Sequence, residues 1–395
     1  MNQLQIKRSD GLEEFETYLG KPSTFQKTLL LPNDIDEGGG AGTSVAYCQF
    51  LLTWARRAKS QSIKTYLKAG DDAAFERFTE RVHGLSAAYF AERLIAHTDK
   101  GTGDDIRLSV LRAAKPRFEA MSRGELQDAG RGREIEFIFV QDAKNQFHGS
   151  VYSKAPTPTE LMDRQKHGEL IRTHRELNRL LELCFEHINV AQYLDKQIRR
   201  TDFVFGALLS ELFRNTAEHG FLGIHGGRLK LNLRCIRVAA TLIARDKLAQ
   251  KSVSSPNARH AAQQYFAKMA ELRGEYARDM VRVLELSVFD SGPGFAATIE
   301  GQDVTDVEQA RQAVARCFRK HQSAKTAPRA GEGLFKVLGL LNVLGGFVRV
   351  RTSTVEAFHG AGPDDLADID PNSFVHGGLA PVEGSVVTIC IPITY

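Results

Sequence analysis

Three long apolar runs in the C-terminal half constrain this chain more than any other feature: GGRLKLNLRCIRVAATLIARD, VRVLELSVFD and GSVVTICIPI. Each is rich in the β-branched and aliphatic residues that favour strands. Helical stretches lie between them in blocks rather than in strict alternation, and most strand connections read as hairpins. That pattern predicts an α+β sandwich rather than a doubly wound parallel sheet.

Length sets the number of units. For 395 residues, domains of about 150 residues each imply two or three. KAPTPTE, at 154–160, is the clearest linker, because its prolines lack amide donors and push their predecessors toward extended backbone. The expected organisation is an N-terminal α/β domain (1–155), a helical connector (156–200) and a C-terminal domain (201–395) with a polar helical insertion at 245–280. In the first domain TLLLP reads as a buried strand, VAYCQFLLTWARRA as a helix, residues 73–98 as helical and EIEFIFVQD as another strand. The glycine cluster at 38–44 has the strand–loop–helix setting of a phosphate loop. It lacks that loop's lysine, so a capped turn is the better reading.

Composition removes several classes. Lys and Arg number 52 against 48 Asp and Glu, a surplus of +4 that argues against a nucleic-acid or membrane surface. Five scattered cysteines without a CxxC pair fit reduced thiols in the cytoplasm. The N-terminus is charged throughout, unlike a signal peptide. The most apolar window, 334–348, contains Lys336 and is too short to span a bilayer.

Four separated pieces carry candidate chemistry. In ELFRNTAEHG, Glu211, Asn215 and His219 recur every four residues, forming one polar stripe opposite Leu208, Leu209, Leu212 and Phe213. A Glu can activate water, and an Asn oxygen can ligate a hard cation without adding charge. In DSGPG, Asp290 ends a strand where a carboxylate can accept from an exocyclic amine, and Gly292 and Gly294 allow close backbone approach. In HQSAKTAPRAGEGLFKVLGLL, Gly331 and Gly333 precede an apolar helix whose amides could face phosphates. In EGSVV, Ser385 offers a hydroxyl at the start of a buried strand.

In order, these pieces resemble the boxes of the GHKL ATPases, the superfamily of gyrase-type topoisomerases, heat-shock chaperones, sensor histidine kinases, anti-sigma-factor kinases and MutL proteins. The resemblance covers about residues 202–395 and implies a Bergerat-type two-layer α/β sandwich, its sheet mixed but mostly antiparallel with helices on one face, binding ATP and Mg²⁺. It implies Glu211 as the water-activating base and Asn215 as the Mg²⁺ ligand. Asp290 would read the adenine amine, with Gly292 and Gly294 under the base and Ser385 beside it. Gly331, Gly333 and Leu334 would hold the phosphates, with Lys325 as a lid lysine, His219 nearby and residues 296–330 as the closing segment. A homodimer, and a protein partner met through the N-terminal domain or the insertion, are further implications. Hydrolysis coupled to lid closure is the favoured activity. A protein kinase acting on a partner and a silent nucleotide-binding scaffold are the alternatives, since no histidine of the connector (His167, His174, His187) has a phosphoacceptor's neighbours.

Overall fold

The computed structural model describes residues 3–35, 40–98, 103–122, 134–141, 147–148, 174–191, 194, 204–220, 222–225, 227, 229, 231–273, 280–319, 333–361 and 369–393. The chain is α+β, and its described residues form one parallel and one antiparallel sheet.

Strands β1 (Gln3–Gln5), β2 (Thr28–Leu31), β3 (Ser62–Thr65) and β4 (Arg93–Ile95) form the parallel sheet in chain order. Its crossovers are α1 (Leu12–Leu19), α2 (Thr43–Arg57) and the pair α3 (Asp72–Thr79) and α4 (Val82–Phe90), and α5 (Arg107–Ser122) follows β4. Residues 73–98 are therefore not helical throughout: 93–95 turn into the edge strand, whose Leu94 is fully buried.

Among the described residues the larger sheet has eight strands: β5 (Glu134–Gln141), β6 (Phe147–His148), β7 (Leu233–Ala244), β8 (Met280–Asp290), β9 (Phe347–Ser353), β10 (Val355–Gly360), β11 (Val375–His376) and β12 (Val382–Ile393). Their order is β11-β10-β9-β12-β8-β7-β5-β6, and every pairing among them is antiparallel, so the expected mixed sheet is corrected. A second correction concerns EIEFIFVQD. As β5 it pairs with β7 of the large sheet and not with the N-terminal strands, so a boundary at residue 155 does not separate two cores. The expected linker at 154–160 lies outside the described residues.

The remaining helices are α6 (His174–His187) in the expected connector, α7 (Val204–His219), α8 (Leu248–Ser252) and α9 (Pro256–Arg273) in the expected insertion, α10 (Phe295–Glu300), α11 (Val307–Cys317) and α12 (Gly333–Leu344). Strand alternation sorts them. Ile236, Val238, Leu286, Val288, Val350, Val387 and Ile389 face one side, here the front, and join one core with Leu180, Leu208, Leu212, Val314 and Leu341 of α6, α7, α11 and α12. Residues on the back alternate with these. Cys235, Phe289 and Val386 pack with Leu51 and Leu52 of α2, while Val283, Phe347 and Cys390 pack with Tyr265 and Met269 of α9. Helices thus cover both faces, which corrects the two-layer expectation. Helix α2 is buried from residue 43 to residue 55, and it shares one core with Leu29, Ile63 and Leu94 of the parallel sheet and with Phe289 and Val386 of the large one.

Between the two back-face clusters runs a buried ionic band. Arg237 reaches Glu285 and Glu134, each at 2.8 Å, and Arg81 also pairs with Glu134. Arg349 Nε donates to Glu356 at 2.7 Å, and Arg351 holds Glu16 of α1 through two nitrogens, at 2.6 and 3.0 Å. Glu356 also accepts from Ser254 and Ser255, which anchors the insertion to β10. Charges this deep persist only when paired and hydrogen-bonded. Among the described residues no helix is long and apolar enough to cross a membrane.

Candidate functional site

Asp290 is the last residue of β8, and Ser385 of β12 is its register partner. Ser385 in turn stands opposite Thr352 of β9, their hydroxyl oxygens 3.2 Å apart. Val288, Val387 and Val350, two residues away on the same strands, belong to the front core. Asp290, Ser385 and Thr352 therefore form a polar floor at one end of the front face, spread over three neighbouring strands.

The turns bordering this floor are tied to each other. Gly292 N donates to Asp290 Oδ1 at 2.9 Å, and Phe295 N, opening α10, donates to Thr352 Oγ1 at 3.0 Å. Gly384 N donates to Gly292 O at 3.1 Å. Gly384 has φ +71, and a Cβ there would lie 2.1 Å from Asp290 O. Gly294 has φ +87, and its Cβ would lie 2.8 Å from the Thr352 hydroxyl oxygen. Both glycines are thus required by backbone conformation and by close approach within the protein.

Asp290 is only 7% exposed. Burial raises its carboxyl to about 7, outweighing the Gly292 amide and the Arg234 and Arg56 guanidinium groups, which pull the other way. Arg234 of β7 is itself buried and stacks over the Phe213 ring at 5.6 Å. Burial lowers its pKa to about 10, against the pull of Asp290. Neither Arg234 nor Thr352 was expected at this site; the available signal was an arginine inside the apolar run LNLRCIRVAAT.

Helix α7 runs into the same place. A Cβ on Gly220, just past its end, would lie 2.8 Å from the Asp290 Cβ. Leu208, Leu209, Leu212 and Phe213 are buried as the stripe requires. Glu211 is also 7% exposed rather than solvated, and Asn215, one turn on, is half-buried. His219 is the last residue of α7, and its side chain lies outside the described residues. Across from Glu211 stands α12, with Lys336 Nζ 3.8 Å from Glu211 Oε1. Gly333 is the first residue of α12, and Leu334 is buried in the front core. Lys325 and Gly331 lie outside the described residues.

The structure thus brings together Glu211, Asn215, Asp290, Gly292, Gly294, Gly333 and Ser385 on adjoining elements of the front face. The expected closing segment is different in part. Ala296, Ala310, Ala313, Val314 and Phe318 of that stretch lie in the front core, so α10 and α11 pack against the sheet there. The cavities of about 530 Å³ along α11 and 430 Å³ along α8 and α9 are lined by none of the expected site residues.

Chemically, a buried carboxylate beside hydroxyls can accept from a flat amine-bearing ring, and a second carboxylate on a facing helix can orient water. Among the described residues no group of three His, Cys, Asp or Glu could hold a metal. A hard cation here would use the Asn215 amide oxygen together with oxygens of a bound ligand. No family model matches this chain, no curated protein matches it, and no solved structure matches it.

Proposed function

We propose that this chain binds ATP with Mg²⁺ at the front-face site, in a Bergerat-type arrangement, and hydrolyses it as a conformational switch. One observation carries the reading. The end of α7, the Asp290 turn and the start of β12 adjoin one another, although they are separated by about 70 and 95 residues of sequence. Asp290, as the carboxylate, accepts from the adenine amine, and the Ser385 and Thr352 hydroxyls line the same edge. Glu211 orients the attacking water and takes its proton. Lys336, beside it, adds positive charge where phosphate oxygens gather. Asn215 is the protein ligand for Mg²⁺, which when bound neutralises charge on the phosphates. The homodimer and partner roles belong to the same proposal.

The test is incubation of the full chain with γ-labelled ATP and Mg²⁺. Free phosphate supports hydrolysis, label on a protein supports the kinase alternative, and binding with neither supports the scaffold. Absence of ATP binding overturns all three.

A further inference from the structure

Helix α2, from the N-terminal unit, touches both turns that border the polar floor. Arg56 Nη2 donates to Ser291 O at 2.8 Å and to Leu231 O at 3.3 Å, while its Nη1 pairs with Glu383 at 3.0 Å. Gln49 Nε2 donates to Arg351 O at 3.0 Å and to Gly384 O at 3.3 Å. Thr53 Oγ1 accepts from Glu383 N at 2.9 Å. Ser291 follows Asp290 directly, and Gly384 precedes Ser385. One helix therefore holds the backbone of each turn from behind, through side chains spaced four and three residues apart along one face.

We propose that α2 is a clamp setting the geometry of the Asp290 and Ser385 turns, with Arg56 as its positioning residue, so that the N-terminal unit governs affinity at the adenine end of the site. The clamp rests on the ATP reading above. The guanidinium suits the task because its planar fork reaches two carbonyls and a carboxylate at once, which a lysine ammonium on its flexible stem does not reproduce. Helix α2 packs against the back of the large sheet, whereas Glu211 and Lys336 stand on α7 and α12 of the front core, so the clamp acts on the adenine end rather than the phosphate end. Movement of α2 within its own sheet would then reach the site without touching the ligand.

The experiment is displacement of a fluorescent ATP analogue from the full chain by ATP and, separately, by magnesium tripolyphosphate. It uses the native protein, Arg56→Ala, Arg56→Lys and Arg57→Ala. Arg57 pairs with the same Glu383 at 3.4 Å but contacts neither turn's carbonyls, so it controls for a weakened interface. For Arg56→Ala, loss of a charged hydrogen bond predicts ATP affinity down about tenfold with tripolyphosphate affinity unchanged. Arg56→Lys recovers part of the loss, and Arg57→Ala matches the native protein. If Arg56→Ala retains native ATP affinity, loses both ligands equally, or is matched by Arg57→Ala, the clamp is overturned while ATP binding stands. If the native protein binds no ATP analogue, the nucleotide reading falls, and the clamp with it.

Discussion

Glu211 of α7 and Lys336 of α12 face each other at 3.8 Å, joining a buried glutamate to a lysine whose side chain is 43% exposed. The pair bridges two helices that the sequence separates by more than a hundred residues. In the proposed reaction its two members have different tasks. Glu211→Gln is expected to lower the hydrolysis rate by about 10²–10⁴-fold, the usual contribution of a general base. ATP affinity should stay near native, because the variant keeps the side chain's size and shape while losing the proton-accepting carboxylate. Single-turnover phosphate release beside equilibrium binding checks this; equal loss of both would assign Glu211 to binding.

Asp290 makes the site pH-dependent. Its folded carboxyl lies at about 7, raised from 3.8 by burial. A raised acid stabilises the fold most below its unfolded value, and that contribution disappears as pH rises through about 7. The proposed ATP recognition runs the other way, since only the carboxylate is purely an acceptor. Affinity for ATP should therefore rise as pH increases through about 7, and Asp290→Asn should bind weakly with no such rise. Titrations across neutral pH, with GTP as the comparison, test both statements.

Glu356 is expected to govern acid stability. Burial alone would raise its carboxyl, but Arg349, Ser255 and Ser254 hold it down at about 2, from 4.5. A lowered acid contributes fully above its unfolded value, so this part of the stability is lost as pH falls from about 4.5 towards 2. Glu356→Ala leaves the Arg349 charge buried without its carboxylate and should cost about 3–5 kcal/mol at neutral pH. Urea denaturation at several pH values reads the cost; a loss that does not shrink in acid would contradict the assignment.

Gly384→Ala is predicted to be far more damaging than an average surface change. The position has φ +71, and the added methyl would meet Asp290 O at 2.1 Å. Backbone strain alone is worth about 1–3 kcal/mol, before any displacement of the turn. The variant should show a lowered denaturation midpoint and weakened ATP binding together. Gly301→Ala, at φ +67 with open space around it, should cost stability only.

The sequence by itself determined the local elements and their front-facing apolar pattern. TLLLP, VRVLELSVFD and GSVVTICIPI are strands β2, β8 and β12, and the leucines opposite Glu211 are buried, because a period of two or 3.6 must place apolar side chains on one side of an element. Tertiary structure decided what lies behind the sheet. Arg237, Arg349 and Arg351 alternate with apolar residues as though facing water, yet each is about 1% exposed. Their carboxylate partners come from β5, β8, β10 and α1. β5, assigned by sequence to the wrong sheet, and Arg56 of α2, which reaches the Asp290 turn, depend on the same docking. Periodicity records how a segment distributes its own side chains; a charge's partner 100 or 300 residues away is set only when two sheets close on one helix.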